Sequence, residues 1–201
     1  MTMSEISGHL VLIMAPMASG KGSLISYVLG AFPHIVRLTS CTTREIRPGE
    51  REGVDYYFIS RAEFERRIEH GEFIEWAEFS GNLYGTLASS ITTSLNEGRV
   101  VINEIDVQGV LQLQSLVPRD QYTIIYIDAG DWEVSKKRAL ARAPMSKEHL
   151  ELRYKRYLEE EKFKPRADFI IQNNDGQFEE AKEALHTIID DIFTKVEQQK
   201  T

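Results

Sequence analysis

The stretch "HLVLIMAPMASGKGSL", residues 9–24, joins a short apolar run to a loop of small residues. Continuous apolar runs of this length that end in a loop are typical of strands buried on both faces of a parallel sheet. After Gly20 and Lys21, apolar residues return at helical spacing from Leu24 to Val28. The stretch therefore predicts a strand, a loop and a helix, in that order.

The loop matches part of the phosphate-binding pattern G-x-x-x-x-G-K-[ST]. Gly20 and Lys21 occupy their expected positions, whereas Ala15 replaces the first glycine and Gly22 replaces the hydroxyl residue. In such loops the backbone N–H groups and the N-terminus of the helix face phosphate oxygens, and the lysine adds a mobile charge. Ser23 offers the hydroxyl that Gly22 lacks. An ordinary strand-to-helix turn is the alternative interpretation.

Two methyl groups stand where loops of this kind use glycine, at Ala15 and Ala18. Glycine adopts positive φ angles readily, and other residues do not. If either position requires a positive φ, the loop carries a strain of about 1 kcal/mol or more.

The alternation of buried strand and helix recurs three times along the chain. Apolar runs at residues 99–105, 122–128 and 168–175 are each followed by a segment with helical periodicity. This order predicts an α/β fold with a parallel sheet flanked by helices on both faces. Residues 41–97 break the rhythm with short, aromatic, turn-punctuated segments and predict a small mixed α+β insertion. The core is then 1–40 and 98–201.

Composition narrows the class of protein. The chain has 201 residues, a net charge of -7 and one cysteine, Cys41, which excludes an internal disulfide. The acidic balance argues against broad nucleic-acid binding. No apolar stretch reaches the length of a membrane span, and residues 1–9 lack the features of a signal peptide, so we expect a cytoplasmic protein with no membrane partner.

Basic residues gather in two stretches, at 44–51 and 136–156. Such local clusters of positive charge suit the binding of small anions such as nucleotides, although solvated helix faces are an alternative.

The segment "TTREIRPGEREGVDYYF", residues 42–58, is the most specific in the chain. It resembles the guanylate kinase signature T-T-R-x-x-R-x-G-E-x-x-G-x-x-Y-x-F at each fixed position. The resemblance continues through residues 73–86, 104–110, the arginines after 135, and 170–175. It implies a P-loop NTPase-type core, a GMP-binding subdomain at 41–97 and a helical lid at about 138–152, within one domain spanning about 8–196.

The implied reaction is ATP-dependent phosphorylation of GMP, and of dGMP, with Mg²⁺. By the resemblance, the residues that bind GMP are Ser40, Arg44, Arg47, Tyr56, Glu75, Tyr84, Gly85, Thr86, Glu104 and Asp106. Two arginines three positions apart can bring their guanidinium groups to one phosphate, beside two phenolic donors. Without the resemblance, paired arginines of this kind are more often surface charges.

Glu75 matches the glutamate with which the family reads guanine. Guanine presents N1–H and an N2 amino group side by side, so one carboxylate accepts both hydrogen bonds. Adenine lacks that pair of donors. Ser40 and Thr86 match the small hydroxyl partners near the base. The alternative for Glu75 is an edge-strand surface carboxylate.

The resemblance also implies which residues bind ATP, the phosphate donor. The residues expected to contact ATP are Ala18, Ser19, Gly20, Lys21, Gly22, Ser23 and Asn173. The residues expected to act in catalysis are Lys21, Arg44, Arg138, Arg142 and Arg153. Asn173 lies near the base of ATP in the family, and a turn-forming asparagine is the alternative. Ser23 and Asp106 are the candidate Mg²⁺ ligands, and Asp106 can instead cap the following helix.

Two further departures bear on activity. Glu104 stands where the family usually has the first aspartate of D-x-D, and the extra methylene moves its carboxylate by more than about 1 Å. We therefore expect a retuned function. Ala143 and Pro144 follow Arg142, at a position where the family usually has glycine. Proline and alanine restrict the backbone of the lid there.

Three interpretations of the function stay open: an active guanylate kinase, a guanylate-kinase-like interaction module that has lost phosphoryl transfer, and a kinase with a different phosphate donor or nucleotide acceptor. The oligomeric state is left open.

Overall fold

The computed structural model describes residues 7–79 and 81–198. The strands are β1 (His9–Met14), β2 (Val36–Arg37), β3 (Cys41–Thr42), β4 (Tyr57–Phe58), β5 (Phe73–Phe79), β6 (Asn82–Leu87), β7 (Val100–Glu104), β8 (Tyr122–Asp128) and β9 (Phe169–Gln172). The helices are α1 (Lys21–Ala31), α2 (Arg61–Glu69), α3 (Ala88–Asn96), α4 (Val107–Leu113), α5 (Trp132–Arg142), α6 (Lys147–Phe163) and α7 (Phe178–Gln198).

The larger sheet has five parallel strands in the order β2-β7-β1-β8-β9. Its central strand, β1, is the apolar run that precedes the loop. Leu10 and Leu12 point into one apolar layer, and Val11 and Ile13 point into the other. Because both faces of β1 are covered, the run is continuously apolar. The predicted parallel sheet is confirmed.

Helices cover both faces of this sheet. Ile91 of α3, Val110 of α4 and Phe163 of α6 pack on one face. α1 and α7 pack on the other face. In α7 the buried residues recur every three or four positions, as expected of one helical face: Ala181, Leu185, Ile189, Ile192 and Val196.

The smaller sheet is mixed and has the order β4-β3-β6-β5. β3 pairs with β4 in parallel, whereas β3–β6 and β5–β6 are antiparallel. Phe64 of α2 packs with Cys41 and Leu83 in a separate small core. These elements lie within residues 41–97, where a mixed insertion is expected. The exact boundaries of the insertion remain a prediction.

The helical region is interrupted near residue 143. α5 ends at Arg142, and α6 begins at Lys147, with Ser146 as its N-cap. The Ser146 hydroxyl accepts a hydrogen bond from the N–H of His149 at 3.2 Å. In residues 7–79 and 81–198, no helix combines the length and apolarity needed to cross a membrane.

Candidate active site

The loop after β1 adopts a conformation that depends on two left-handed residues. Ala18 has φ 56° and Gly20 has φ 86°, whereas Ala15 lies outside the positive-φ region. The strain anticipated for an alanine in this loop therefore falls on Ala18. Gly20 is also needed for space, because a Cβ atom there would lie 2.4 Å from Nδ2 of Asn173.

The side chain of Asn173 supports the backbone of the loop. Its side chain is buried, and Nδ2 donates a 2.6 Å hydrogen bond to the carbonyl oxygen of Ser19. Asn173 follows β9 at the edge of the parallel sheet, while Ser19 follows β1 at its centre. The last strand of the sheet thus sets the shape of the loop.

The loop forms one wall of an open cleft of about 570 Å³, here called the loop cleft. Lys21, Gly22 and Ser23 line it from the start of α1. The opposite wall carries Arg142 at the end of α5 and Arg153 on α6. A small-residue loop at a helix N-terminus that faces two arginines forms a site for a polyanion.

Arg153 lacks an ion-pair partner among the described residues. Its guanidinium lies 5.3 Å from the centre of the Phe79 ring. Burial, together with the positive charges of Arg156 and Arg47, lowers the pKa of Arg153. A partly buried cation among like charges is stabilised when an anion enters, so Arg153 is positioned to receive phosphate.

Lys21 is engaged by a carboxylate from the neighbouring strand. Its Nζ lies 3.4 Å from Oε2 of Glu104, and the other oxygen of Glu104 accepts a hydrogen bond from Nη2 of Arg37 at 3.2 Å. Glu104 ends β7, which pairs with β1 in parallel. Because the carboxyl ends of parallel strands share one edge of a sheet, the glutamate and the loop meet there.

A second cleft, of about 210 Å³, opens beside the first and is here called the Glu75 cleft. Glu75 is buried on β5, and its Oε1 accepts a 2.5 Å hydrogen bond from the hydroxyl of Thr86. Ser40 and Asn103 also contact that hydroxyl, at 3.1 and 3.3 Å. Because these contacts fix one oxygen of Glu75, its carboxylate is held in one orientation at the cleft wall.

The charge of Glu75 is disfavoured in this cleft. Burial raises the pKa of Glu75 to about 7, and the hydrogen bond from Thr86 offsets only part of that effect. The nearby charge of Asp106 contributes to this rise in the pKa. Gly109 lies close enough that an added Cβ atom would be 2.8 Å from Oε2 of Glu75. A ligand with two adjacent N–H donors would stabilise the ionised form.

One arginine of the 42–58 segment, Arg44, contacts a residue that lines this cleft. Arg44 donates to both oxygens of Glu50, at 2.8 and 3.0 Å, and lies over the Tyr56 ring at 5.5 Å. Arg47 is exposed. Tyr56 and Tyr84 line the cleft. The two phenols therefore face the cleft, while both Nη groups of Arg44 are hydrogen-bonded to Glu50.

Asp106 serves as the N-cap of α4. One of its oxygens accepts a 2.8 Å hydrogen bond from the N–H of Gly109, and the other lies 3.6 Å from Nη2 of Arg156. Asp106 also lines the Glu75 cleft. The capping alternative for Asp106 is therefore present in the structure, and it coexists with a position at the site.

A family model described as guanylate kinase matches residues 7–192. The chain belongs to the guanylate kinase family. The guanylate kinase of Rubrobacter xylanophilus is 38% identical over 182 residues, covering 90% of this chain and 93% of that protein. The guanylate kinase of Thermotoga maritima is 36% identical over 191 residues, covering 95% and 90%. A crystal structure of guanylate kinase from Anaplasma phagocytophilum superimposes with a TM-score of 0.70 at 28% identity, covering 94% of this chain and 87% of that one.

The guanylate kinase resemblance drawn from residues 42–58 is thus confirmed. Most of the residues predicted for its site converge on the two adjoining clefts. The loop cleft is lined by Ala18, Ser19, Gly20, Lys21, Gly22, Ser23, Arg142 and Arg153. The Glu75 cleft is lined by Lys21, Ser40, Tyr56, Glu75, Tyr84, Gly85, Glu104 and Asp106. Thr86 lies buried behind Glu75.

Other predicted residues of the guanylate kinase site lie outside both clefts. Arg138 donates to the carbonyl oxygen of Asn173 at 3.1 Å and to Asp175 at 2.7 Å. The Asn173 side chain faces the loop backbone, so its expected contact with the base of ATP stays a prediction. Arg44 contacts Tyr56 of the Glu75 cleft, but neither Arg44 nor Arg47 lines that cleft.

Sequence reasoning missed four residues of this guanylate kinase site: Arg37, Asn103, Arg156 and Glu160. Asn103 and Glu160 are buried polar residues. Helical spacing held a usable signal for two of the four, because Arg156 lies three positions after Arg153 and four before Glu160. Arg37 and Asn103 had no comparable pattern. Pairing of β2 with β7 brings Arg37 near Glu104, and a side-chain hydrogen bond between strands of the two different sheets joins Asn103 to Thr86.

Proposed function

We propose that this chain catalyses transfer of the γ-phosphoryl group of ATP to GMP, and to dGMP, giving ADP and GDP. One observation carries the proposal. The loop cleft suits a triphosphate, the Glu75 cleft suits guanine, and Lys21 borders both. Donor and acceptor can therefore meet at the lysine.

Recognition of guanine rests on Glu75. The ionised carboxylate accepts hydrogen bonds from N1–H and the N2 amino group, while Thr86 keeps its orientation. Adenine leaves this buried carboxylate without donors. A site built to hydrogen-bond a ligand group rejects an analogue that lacks it by a factor of roughly 10⁴ or more.

Phosphate recognition on the acceptor side uses Tyr56, Tyr84, Arg44 and Arg47. Arg44 is held by Glu50, so GMP binding requires the guanidinium to share or exchange that carboxylate. We assign residues 41–97 as the GMP-binding subdomain on this basis, and residues 138–152 as the lid that carries Arg142 to the donor. Arg138 joins the donor phosphates only if it leaves Asp175.

The transfer step balances without an added proton. An oxygen of the GMP phosphate forms a bond to the γ-phosphorus of ATP as the bond from that phosphorus to the bridging oxygen breaks. The electron pair of the broken bond stays on the β-phosphate of ADP. Negative charge spreads over the three equatorial oxygens during the transfer. Lys21, Arg142 and Arg153 stabilise that charge, and closure of the lid excludes water.

The oxygen atoms that the protein offers are of the kind that coordinates nucleotide-bound Mg²⁺. Mg²⁺ takes one or two protein oxygens and completes its shell with water and substrate phosphates. Ser23 supplies a hydroxyl at the loop cleft, and Asp106 supplies a carboxylate at the Glu75 cleft. When bound, the ion would neutralise part of the phosphate charge. Ser23 and Asp106 would hold it.

The test is an ADP-release assay with GMP, ATP and Mg²⁺, run beside a Lys21→Met variant. We expect GMP-dependent turnover in the wild type, loss of turnover in Lys21→Met, and GMP binding that survives in the variant by calorimetry. Unchanged turnover without the lysine would contradict the proposal. GMP binding with no turnover in the wild type would favour an interaction module. A preference for AMP or a pyrimidine monophosphate would overturn the guanine assignment.

A further inference from the structure

Arg156 occupies an unusual position on α6. Of the residues that line the two clefts, Lys21 and Arg156 are the ones that border both. The phosphoryl group moves from one cleft to the other during the proposed reaction. Arg156 therefore lies beside the path of transfer, as Lys21 does.

The guanidinium of Arg156 is held along one edge. Its Nε donates to Oε1 of Glu160 at 3.0 Å, one turn further along α6. Its Cζ lies 4.8 Å from the centre of the Phe79 ring on β5. Both contacts restrict where the planar group can point.

The opposite edge of the guanidinium is available. Nη2 lies 3.6 Å from Oδ2 of Asp106, which is longer than a normal hydrogen bond. Among the described residues, neither Nη atom of Arg156 has a hydrogen-bond acceptor. A guanidinium anchored at Nε with its two Nη groups free presents the fork that binds phosphate oxygens in pairs.

A carboxylate at the position of Glu160 is unfavourable for binding a triphosphate, unless it orients Arg156. It is 4% exposed and lines the loop cleft, where a negative charge repels ATP. Burial raises the pKa of Glu160, and the pairing with Arg156 opposes that rise. Its ion pair with Arg156, together with the positive charge of Lys21, stabilises a carboxylate at this position.

Building on the proposed function, we infer that Arg156 is a further catalytic residue whose free Nη groups contact the phosphoryl group in transit from ATP to GMP. Glu160 is its positioning residue. Arg156 adds its charge to those of Lys21, Arg142 and Arg153 where charge spreads over the equatorial oxygens. Lysine cannot replace the fork, because its ammonium is a single point of charge.

A purely structural role makes a different prediction. Arg156 also links α6 to Asp106 and Phe79, so it can act as a latch that holds the helix near the smaller sheet. Loss of a latch would weaken substrate binding and lower thermal stability. Loss of a contact to the phosphoryl group would lower kcat and leave the KM for GMP nearly unchanged.

The experiment compares Arg156→Ala and Arg156→Lys with Lys162→Ala, a matched control that removes an exposed cation from the same helix outside both clefts. We measure kcat, both KM values and the melting temperature, and we test rescue of Arg156→Ala by guanidinium ion below unfolding concentrations. We expect kcat to fall by roughly 10²-fold or more in Arg156→Ala and by about 10-fold in Arg156→Lys. Lys162→Ala keeps wild-type kcat, and guanidinium restores part of the activity of Arg156→Ala.

The outcomes separate this inference from the proposed function. A wild type without GMP-dependent turnover overturns the proposed function and this inference with it. An active wild type whose Arg156→Ala variant keeps kcat within threefold overturns the inference alone, as does a loss confined to KM with no rescue. If Arg156→Ala does not fold, Arg156→Lys and Glu160→Gln decide: both must lower kcat at a preserved melting temperature.

Discussion

Nζ of Lys21 lies 3.4 Å from Oε2 of Glu104, and Arg37 holds the other oxygen of that carboxylate at 3.2 Å. The lysine that we propose to contact the triphosphate is thus paired with the carboxylate of Glu104 in the ligand-free structure. Phosphate oxygens must compete with Glu104 for Lys21. Because about a third of the Glu104 side chain is exposed, solvent screens the pair and the competition is modest.

Replacing Glu104 by Gln should release Lys21. We expect the variant to bind a non-hydrolysable ATP analogue about two- to fivefold more tightly, since partly exposed ion pairs contribute up to about 1 kcal/mol. Calorimetry measures the affinity. Glu97→Gln, which breaks the surface pair with Arg99, is the control and should leave the affinity unchanged. Weaker binding in Glu104→Gln would mean that the carboxylate supports the nucleotide site.

GMP binding should weaken as the pH falls below about 7. The pKa of Glu75 is raised to about 7, chiefly by burial, and the protonated carboxyl cannot accept both hydrogen bonds from guanine. The KM for GMP is expected to rise up to about tenfold per pH unit below that value, while the KM for ATP changes little. GMP also carries a titrating phosphate, so the profile is repeated with Glu75→Gln. A pH dependence that persists unchanged in that variant would assign the effect to the ligand.

The same carboxyl destabilises the ligand-free fold at high pH. Burial raises the pKa of Glu75 from 4.5 to about 7, so the folded state binds more protons than the unfolded state between those values. Its contribution to stability is complete below pH 4.5 and is lost as the pH rises through 7.

Glu75→Gln should therefore raise the free energy of unfolding at pH 8 by up to about 3 kcal/mol, with little gain at pH 5. Urea unfolding without nucleotide at both pH values measures it. Glu65→Gln on the surface of α2 is the control. An equal effect of Glu75→Gln at the two pH values would argue against a buried, titrating carboxyl.

The two alanines of the loop should respond in opposite ways to glycine. Ala18 has φ 56°, so Ala18→Gly removes strain and is expected to leave stability unchanged or raise it by up to about 1 kcal/mol. Ala15 is buried outside the positive-φ region, so Ala15→Gly is expected to cost about 1 kcal/mol. Denaturant unfolding of both variants compares them directly. A larger loss at position 18 than at position 15 would contradict the assignment of strain.

The parallel sheet was predictable because β1, β7 and β8 are buried on both faces and read as continuous apolar runs. The convergence of Lys21, Glu104 and Asp106 was also predictable, since parallel strands end at one edge. The ion pairs that the arginine side chains form were not predictable from the sequence. The Arg44–Glu50 fork and the Arg138–Asp175 pair redirect arginines that the sequence pattern assigned to phosphate.

Arg156 shows why a resemblance to a family motif misses part of a site. The family pattern directed attention to Arg153, whereas Arg156 was included only in the basic stretch 136–156, for which solvated helix faces were an alternative. Its location emerges only when α6 packs beside the carboxyl end of β7 and beside β5, which brings Asp106 and Phe79 to its guanidinium. Packing between elements distant in sequence carries information that local spacing lacks.

The hydrogen bond from Asn173 to the carbonyl of Ser19 spans 154 positions of the chain. During synthesis, the loop emerges from the ribosome long before the residue that shapes it. A nascent chain that ends before residue 173 has the loop sequence without that support. We therefore expect nucleotide binding to come late in folding, and we expect ATP to stabilise selectively those chains whose last strand has joined the sheet.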